Sequence, residues 1–567
     1  MAREYALIET VNGKETITGK TPVFSSDRVN EKIVLDDGRQ IWICGEETND
    51  EDLKTRLDEA LAANASKEIF LNNMSHDIRT PMNAIIGMTA LARKHIDEKS
   101  RVMDSLNKIE TASGHLLGLI NEVLDMSRIN SGKMVIAKEP FFLGDLLHEV
   151  LVIAGPQARD KHHTFDFSVH DIIKEKLLGD SVRLRQIMIN IINNAIKYTE
   201  DNGHICVTVY EEMKDDRCIL NFICEDNGIG MSKEFLEHIF DPFERANSTT
   251  ISRIEGTGLG MSIVKKLIEA MNGSISIDSE LKKGSIVRIQ IPLEYEELSI
   301  STNDLKNKRI LILENRDDIL DTYRSYLEEI PVQYDHIRTH GELIGALTDS
   351  SYKGENYAAV MLGHTESGNI FDIASYIHRS DPELPVILIS EDNWEEISYR
   401  AGRNGISHFI PLPAFEKTLI MGLSEAIAGS GPADDKGGEP DLSGRKILLV
   451  EDNMINREIA KEILSVTGAN IETAEEGKTA LKMFEESEPF HYDLILMDIQ
   501  MPLMDGYEAS SRIRALDRED AKKIKIFAMT ANTFAEDVAK ARRAGMDGHI
   551  AKPIDVNKLM NTLRQLF

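Results

Sequence analysis

KILLVEDN, residues 446–453, repeats RILILENR, residues 309–316, and the repeat does not stop there. YAAVMLG (357–363) returns as YDLILMD (492–498), PVILIS (385–390) as KIFAMT (525–530), and FIPLP (409–413) as HIAKP (549–553). Each member is a short, unbroken apolar run, the pattern of a strand buried on both faces of a parallel sheet. Between the runs lies enough chain for a helix. Two copies of one βα-alternating domain follow, each a doubly wound parallel sheet, over 306–428 and 444–567. GSGPADDKGGEPDLSG (429–444) separates them, and its Gly, Pro, Ser and Asp content predicts a flexible linker over 429–443.

Toward the N-terminus the period changes. HICVTVY (204–210) and CILNFIC (218–224) alternate as strands do, and residues 136–296 are expected to form an α/β sandwich. Before that a heptad register runs through Leu53, Leu57, Ala60, Asn64, Lys67, Leu71, Met74, Ile78, Pro81, Ile85 and Met88. A second register runs through Val102, Leu106, Ile109, Ser113, Leu116, Ile120 and Val123. Two such helices over 49–131 make a hairpin whose open apolar surface calls for a second copy, closing a four-helix bundle and giving a homodimer. Residues 1–48 are β-rich, with turn signals at Asn12-Gly13 and Asp37-Gly38 and a hairpin over Glu31 to Gly45. They are too short for a sizeable core.

At 567 residues the chain has room for about three to five domains. A net charge of −30 argues against nucleic acid as a direct partner, because phosphate contacts need a basic surface. The four cysteines, Cys44, Cys206, Cys218 and Cys224, lack metal-ligand spacing and read as reduced thiols. No apolar run approaches the ~18 residues that span a bilayer, so a soluble, cytoplasmic chain without a membrane segment is expected.

Three clusters carry chemistry. The last domain ends its first strand on Glu451 and Asp452 and its third on Asp498, in the crevice that strand carboxyl ends form. Three carboxylates there repel one another unless a hard cation such as Mg²⁺ lies among them. Thr530 and Lys552, at the ends of the fourth and fifth strands, offer a hydroxyl and a positive charge to a phosphoryl group on Asp498. The middle copy keeps Glu314 and Ser390 but has Asn315, Gly363 and Leu412 at the matching places. With no carboxylate at 363, no acyl phosphate can form there.

The second cluster is SHDIRTP, residues 75–81. His76 lies two residues from both Met74 and Ile78 and so points away from the seam. A neutral imidazole there can attack phosphorus, with Asp77 holding the proton on its other nitrogen. Pro81 should kink the helix. A lone helix histidine usually has no role; the seven-residue string reverses that reading.

The third cluster is glycine-rich. Asn190 and Asn194 share a helix face, suited to a hydrated Mg²⁺ and its phosphates, and Lys197 lies three residues on. EDNGIGM (225–231) sets Asp226, able to accept from an adenine amino group, beside Gly228 and Gly230. EGTGLGMSIVKKLIE (255–269) places Gly256, Gly258 and Gly260 ahead of an amphipathic helix whose N–H groups suit phosphates, and KKGS (282–285) adds a turn. One G-x-G-x-x-G is weak; four segments in order are strong.

Over residues 50–567 the chain resembles hybrid sensor histidine kinases of bacterial two-component signalling. SHDIRTPMNAIIG resembles the phosphoacceptor box of the dimerisation domain. The resemblance implies that His76 is phosphorylated, Asp77 is the adjacent acid and Thr80 occupies the position tied to phosphatase activity. Asn190, Asn194, Lys197 and Tyr198 match the asparagine box, with Asn194 the implied Mg²⁺ ligand and Tyr198 near adenine. FDPFER (240–245) matches a phenylalanine box, which brings Arg245 to the terminal phosphate. Asp226, Gly228 and Gly230 match the first glycine box, and Gly256, Gly258 and Gly260 the second. The fold implied there is the sandwich shared with gyrase and heat-shock-type ATPases.

Residues 444–567 resemble a receiver domain with Asp498 as acceptor, departing from the usual pattern at His549, where an aromatic switch residue is common. Residues 306–428 resemble a receiver without its acceptor, and 1–48 a PAS-like remnant. The implied activity is ATP-dependent phosphorylation of His76 and transfer to Asp498. A histidine-phosphotransfer protein and a response regulator are the implied partners. A net phosphatase and a non-enzymatic scaffold are the competing readings.

Overall fold

The computed structural model describes residues 4–11, 14–20, 31–34, 40–44, 77–130, 134–242 and 258–567, the last span without 301, 329, 354–355, 366–368, 430–439, 531–539, 553 and 555. The chain forms two units, Met1–Ile120 and Asn121–Phe567.

In the first unit, β1 (Glu4–Val11), β2 (Lys14–Lys20), β3 (Glu31–Val34) and β4 (Gln40–Cys44) make an antiparallel sheet in the order β2-β1-β4-β3. Val11 pairs with Lys14, the register that a two-residue connection at Asn12-Gly13 demands, and β3 pairs with β4 as the predicted hairpin. Helix α1 covers 77–94 and continues through Pro81. Helix α2 (Lys99–Asn130) follows after a short turn. Ile78, Ile85 and Met88 are half-buried and Pro81 is buried, in the predicted register, whereas Arg79, Thr80, Met82 and Asn83 are exposed. The part of the seam from Leu53 to Met74 lies outside the described residues. On α2, Leu106 and Ile120 of the predicted register are open to solvent, with Met103 and Leu117 beside them.

The second unit takes in the end of α2 from Asn121 and then a sandwich. Its elements are β5 (Glu139–Phe142), α3 (Leu143–Asp160), β6 (Thr164–Val169), β7 (Lys176–Gly179), α4 (Ser181–Tyr198), β8 (His204–Lys214), β9 (Arg217–Asp226), α5 (Lys233–His238), α6 (Gly260–Ala270), β10 (Ser274–Glu280) and β11 (Gly284–Tyr295). The strands form one sheet in the order β5-β7-β11-β9-β8-β6, with β10 also on β11. Ile205, Val207 and Val209 of β8 and Leu220, Phe222 and Cys224 of β9 turn inward, with half-buried neighbours between them apart from the buried Asn221. Leu184, Ile187, Met188, Ile191 and Ile192 make the buried stripe of α4. Asp180 caps that helix, accepting from the Arg183 amide.

Two parallel five-stranded sheets follow. The first comprises β12 (Lys308–Leu313), α7 (Asp317–Leu327), β13 (Val332–Ile337), α8 (His340–Lys353), β14 (Ala359–Leu362), α9 (Ile370–Ser380), β15 (Val386–Ser390), α10 (Trp394–Arg403), β16 (His408–Pro411) and α11 (Glu416–Ala428). The second comprises β17 (Lys446–Val450), α12 (Met454–Ser465), β18 (Asn470–Ala474), α13 (Gly477–Glu486), β19 (Leu494–Asp498), α14 (Gly506–Arg514), α15 (Glu519–Lys523), β20 (Lys525–Thr530), β21 (Gly548–Ala551) and α16 (Val556–Leu566). Their orders, β13-β12-β14-β15-β16 and β18-β17-β19-β20-β21, are the same topology written twice. Each keeps its own cores on the two faces of its sheet. In that topology the first and third strands are neighbours, and their carboxyl ends open one crevice.

Candidate active site

The crevice of the last domain is an acidic pocket. Asp498 is the final residue of β19, and Glu451 and Asp452 follow β17 directly. Carboxylate oxygens of all three lie within 4.8 Å of one another; Glu451 and Asp498 are buried and Asp452 is exposed. Lys552, just past β21, places Nζ 2.5 Å from Glu451 Oε2 and 2.7 Å from Asp498 Oδ2. Asn456 donates to Glu451 Oε1 at 3.0 Å, and the Gln500 amide donates to Asp498 Oδ1 at 3.1 Å. Burial pushes the Asp498 carboxyl above the usual carboxylate range; the Lys552 ammonium opposes that rise, and nearby Glu451 adds to it. Thr530 is buried at the end of β20. His549 is exposed, one residue into β21. Three acids against one ammonium, two of the acids desolvated, form an oxygen donor set that fits a hard divalent cation.

At the corresponding place in the middle domain the pocket is filled from within. Glu314 follows β12 and is 0% exposed. Arg316 brings Nε to 3.1 Å from its Oε1 and Nη2 to 3.2 Å from its Oε2. The His364 amide donates to Oε2 at 3.2 Å. Gly363, next after β14, has no room for a side chain: a Cβ there would fall 2.3 Å from Glu314 Oε2. Leu412 is buried in the domain's own core. Arg316 is the residue that inspection of the repeat missed. The difference between ENR at 314–316 and EDN at 451–453 was its signal.

The sandwich brings two of its glycine segments together. The Ile229 amide donates to the Tyr198 carbonyl at 3.1 Å, and the Lys282 amide to the Ile229 carbonyl at 2.7 Å. Thus the end of α4, the 226–230 loop and the 282–285 turn form one cleft. The contacts are too close for side chains: a Cβ at Gly230 (φ +62°) would fall 2.0 Å from the Glu280 carbonyl oxygen, and one at Gly284 (φ +102°) 1.8 Å from that of Asp226. Gly228 packs a hypothetical Cβ 2.5 Å from the Tyr198 carbonyl oxygen. Asp226 ends β9, with Oδ1 accepting from the Gly228 amide at 2.9 Å. Burial raises its carboxyl above the usual range, and amide donors from Gly228 and Ser285 pull the other way.

Asn190, Asn194, Lys197 and Tyr198 are half-buried on α4, beside its apolar stripe. Lys197 Nζ lies 4.9 Å from the Tyr198 ring centre. The side-chain oxygen of neighbouring Asn193 is buried without a hydrogen-bond partner. Gly258 and Gly260 lead into α6, and Lys265 of that helix covers the Phe240 ring at 4.7 Å. Amides, one desolvated carboxylate and a glycine-lined floor fit a purine nucleotide with its cation. Arg245 and Gly256 lie outside the described residues.

So does His76. Asp77 is half-buried at the start of the described part of α1, and Thr80 is exposed one turn further on.

Three segments of the chain match known families. Residues 66–132 match the His Kinase A (phospho-acceptor) domain, 179–295 the histidine kinase-, DNA gyrase B- and HSP90-like ATPase family, and 447–564 the response regulator receiver domain. These are the domains of a hybrid histidine kinase. The chain is 32% identical over 510 residues to the sensor histidine kinase GacS of Pseudomonas protegens, covering 88% of this chain and 55% of that protein. It is 30% identical over 507 residues to the signal transduction histidine-protein kinase BarA of Escherichia coli K12, covering 88% and 53%. The chain therefore spans about half the length of these relatives. Among solved structures, full-length ShkA in complex with AMPPNP is similar at 24% identity and a TM-score of 0.38, covering 88% of this chain and 98% of that one. Among the described residues no helix is long and apolar enough to cross a membrane.

Proposed function

We propose that this chain autophosphorylates His76 from ATP and passes the phosphoryl group to Asp498 in a phosphorelay. The observation that carries the reading is the pocket around Asp498, a buried carboxylate with Lys552 at 2.7 Å and two further acids in reach. Mg²⁺·ATP supplies the phosphoryl group and neutralises its charge. Asn194 and Asn190 hold the cation and phosphates, with Lys197, Gly256, Gly258, Gly260 and Arg245 on the phosphate side. Asp226, Gly228, Gly230 and Tyr198 hold the adenine end.

His76 attacks the terminal phosphorus of ATP through one ring nitrogen while Asp77 keeps the proton on the other, and the bond from that phosphorus to the bridging oxygen breaks as ADP leaves. In the second step the N–P bond of phospho-His76 breaks as an Asp498 carboxylate oxygen bonds to phosphorus. Glu451 and Asp452, with Asp498, would hold Mg²⁺ there to offset the phosphoryl charge, and Lys552 and Thr530 would meet the arriving oxygens. The middle domain is a receiver fold that has lost phosphate chemistry, because Gly363 offers no acceptor and Arg316 already neutralises Glu314.

The open apolar stripe of α2 supports a homodimer. The domain order supports a histidine-phosphotransfer protein as the next acceptor, ahead of a response regulator, in the cytoplasm where ATP is present. Radiolabelling from [γ-³²P]ATP tests the reading on the full chain. His76→Gln should abolish acid-labile label, and Asp498→Asn should let phosphohistidine accumulate. Label retained in the His76 variant overturns the assignment. Net flow from Asp498 back to water without ATP-driven labelling would favour the phosphatase reading, to which the resemblance ties the position of Thr80.

A further inference from the structure

Helix α11 begins without a cap of its own. Phe415 occupies its N-cap position with extended backbone and provides no side-chain acceptor. The first amides of a helix need such an acceptor, which Ser, Thr, Asp or Asn usually supplies from that position. Here it comes from the ATPase sandwich. Glu175, just before β7, accepts from the Lys417 amide through Oε1 at 2.6 Å, and from the Thr418 amide and hydroxyl through Oε2 at 2.8 and 2.7 Å. Glu175 is only 6% exposed. A carboxylate is costly to bury unless paired or hydrogen-bonded, and the helix start offers both amide donors and the positive end of a dipole.

A second contact lies alongside. His148 on α3 is buried and donates through Nδ1 to the Leu412 carbonyl at 3.0 Å; its ring meets the Phe409 ring edge-on at 5.9 Å. In the first turn of α3, Gly144 lies so close that a Cβ would be 3.2 Å from the Pro413 carbonyl oxygen and 3.6 Å from the Phe415 ring. The corner between β16 and α11 is the topological counterpart of the segment after β21, where Lys552 lies, in the last domain. There Lys552 reaches into the acidic pocket. In the middle domain Leu412 turns its side chain into the core and its carbonyl toward the sandwich.

We propose that the middle domain is a fixed extension of the ATP-binding domain, held by Glu175 capping α11 in trans and by His148 on the neighbouring carbonyl. The corner that serves phosphate in the last domain serves docking here. Resting on the relay proposed above, one consequence follows. The ATP cleft and Asp498 must visit His76 in turn, since both cannot face one imidazole at once. A middle domain fixed to the sandwich makes the last domain's tether travel with the ATP cleft, so the two visits are mechanically linked.

Hydrogen exchange with mass or NMR readout on the full chain tests the docking without any catalysis. In the unaltered chain the Lys417 and Thr418 amides should be protected. Glu175→Ala should speed their exchange by about 10- to 100-fold, the scale of a hydrogen bond to a charged group. Protection of α4 and affinity for a fluorescent ATP analogue should stay unchanged. If that variant misfolds, Glu175→Gln keeps the shape but loses the charge and should show a smaller acceleration at the same two amides. Equal exchange in variant and unaltered chains overturns the cap. The same variants should change the rate of His76-to-Asp498 transfer at least threefold; lost protection with an unchanged transfer rate overturns the linkage. A chain that never labels on His76 would refute the kinase reading and leave the exchange result standing.

Discussion

Arg183 and Asp125 form a buried ion pair, Nη1 to Oδ2 at 2.9 Å, between the last turns of α2 and the first turn of α4. Gln186 donates to the same carboxylate oxygen at 2.9 Å. The C-terminal end of α2 is thus fastened to the helix that carries Asn190 and Asn194.

Asp125→Ala removes the acceptor of two donors and leaves a buried guanidinium short of its counter-charge. Breaking a buried pair by deleting one partner costs roughly 3–5 kcal/mol. The urea midpoint of the full chain's first transition should fall accordingly, and His76 labelling should slow even where the fold survives. A variant with an unchanged midpoint would show the pair to be dispensable.

Gly284→Ala tests the floor of the cleft. Its Cβ would meet the Asp226 carbonyl oxygen at 1.8 Å from a backbone at φ +102°. Strain and clash together should cost at least ~2 kcal/mol and displace Asp226. Calorimetric titration with ATP should show affinity down tenfold or more, with the receiver's own melting unaltered.

Restoring an acceptor to the middle domain should fail. In Gly363→Asp the new Cβ falls 2.3 Å from Glu314 Oε2, and the new charge faces a fully buried acid. The variant should be destabilised in denaturant and take no label from acetyl phosphate. Arg316→Met should also destabilise, by roughly 3 kcal/mol, because Glu314 keeps its charge and loses its guanidinium. Mg²⁺-dependent phosphate on either variant would refute this account.

The raised Asp498 carboxyl gives a signed pH dependence. Its folded value lies above the unfolded one, so the protonated form is favoured on folding. That contribution is full below the unfolded carboxylate value of ~3.9 and is lost as pH rises through the folded value. Without metal, the last domain should lose stability over that window, and Asp498→Asn should flatten the loss. At neutral pH added Mg²⁺ should raise the melting temperature of the unaltered domain and have little effect on the variant. Equal Mg²⁺ responses would exclude Asp498 from the metal site.

Much of this was legible in the residues. The continuous runs at 446–450, 494–498 and 525–530 announced buried parallel strands, and strand ends then fixed where Glu451, Asp498 and Thr530 meet. Gly228, Gly230 and Gly284 were legible because close backbone approach leaves no substitute for them. Contacts between distant segments were not. Arg183 lies 58 residues from Asp125 and Glu175 lies 243 from Thr418, and no local period records such pairings. Arg316 escaped because a guanidinium's destination depends on how its side chain turns, and neighbours in sequence do not set that. Phe415 did leave a trace: a helix start with no capping side chain asks where its acceptor is.

That acceptor has an unusual hereditary property. Two of the three hydrogen bonds at Glu175 come from main-chain amides, which every residue type except proline provides. Lys417 can therefore change freely, and Thr418 nearly so, without disturbing the joint. Across related chains the interface should then leave almost no covariation between the two domains. It should appear as a single acidic position that varies little, with no partner column to betray what it holds.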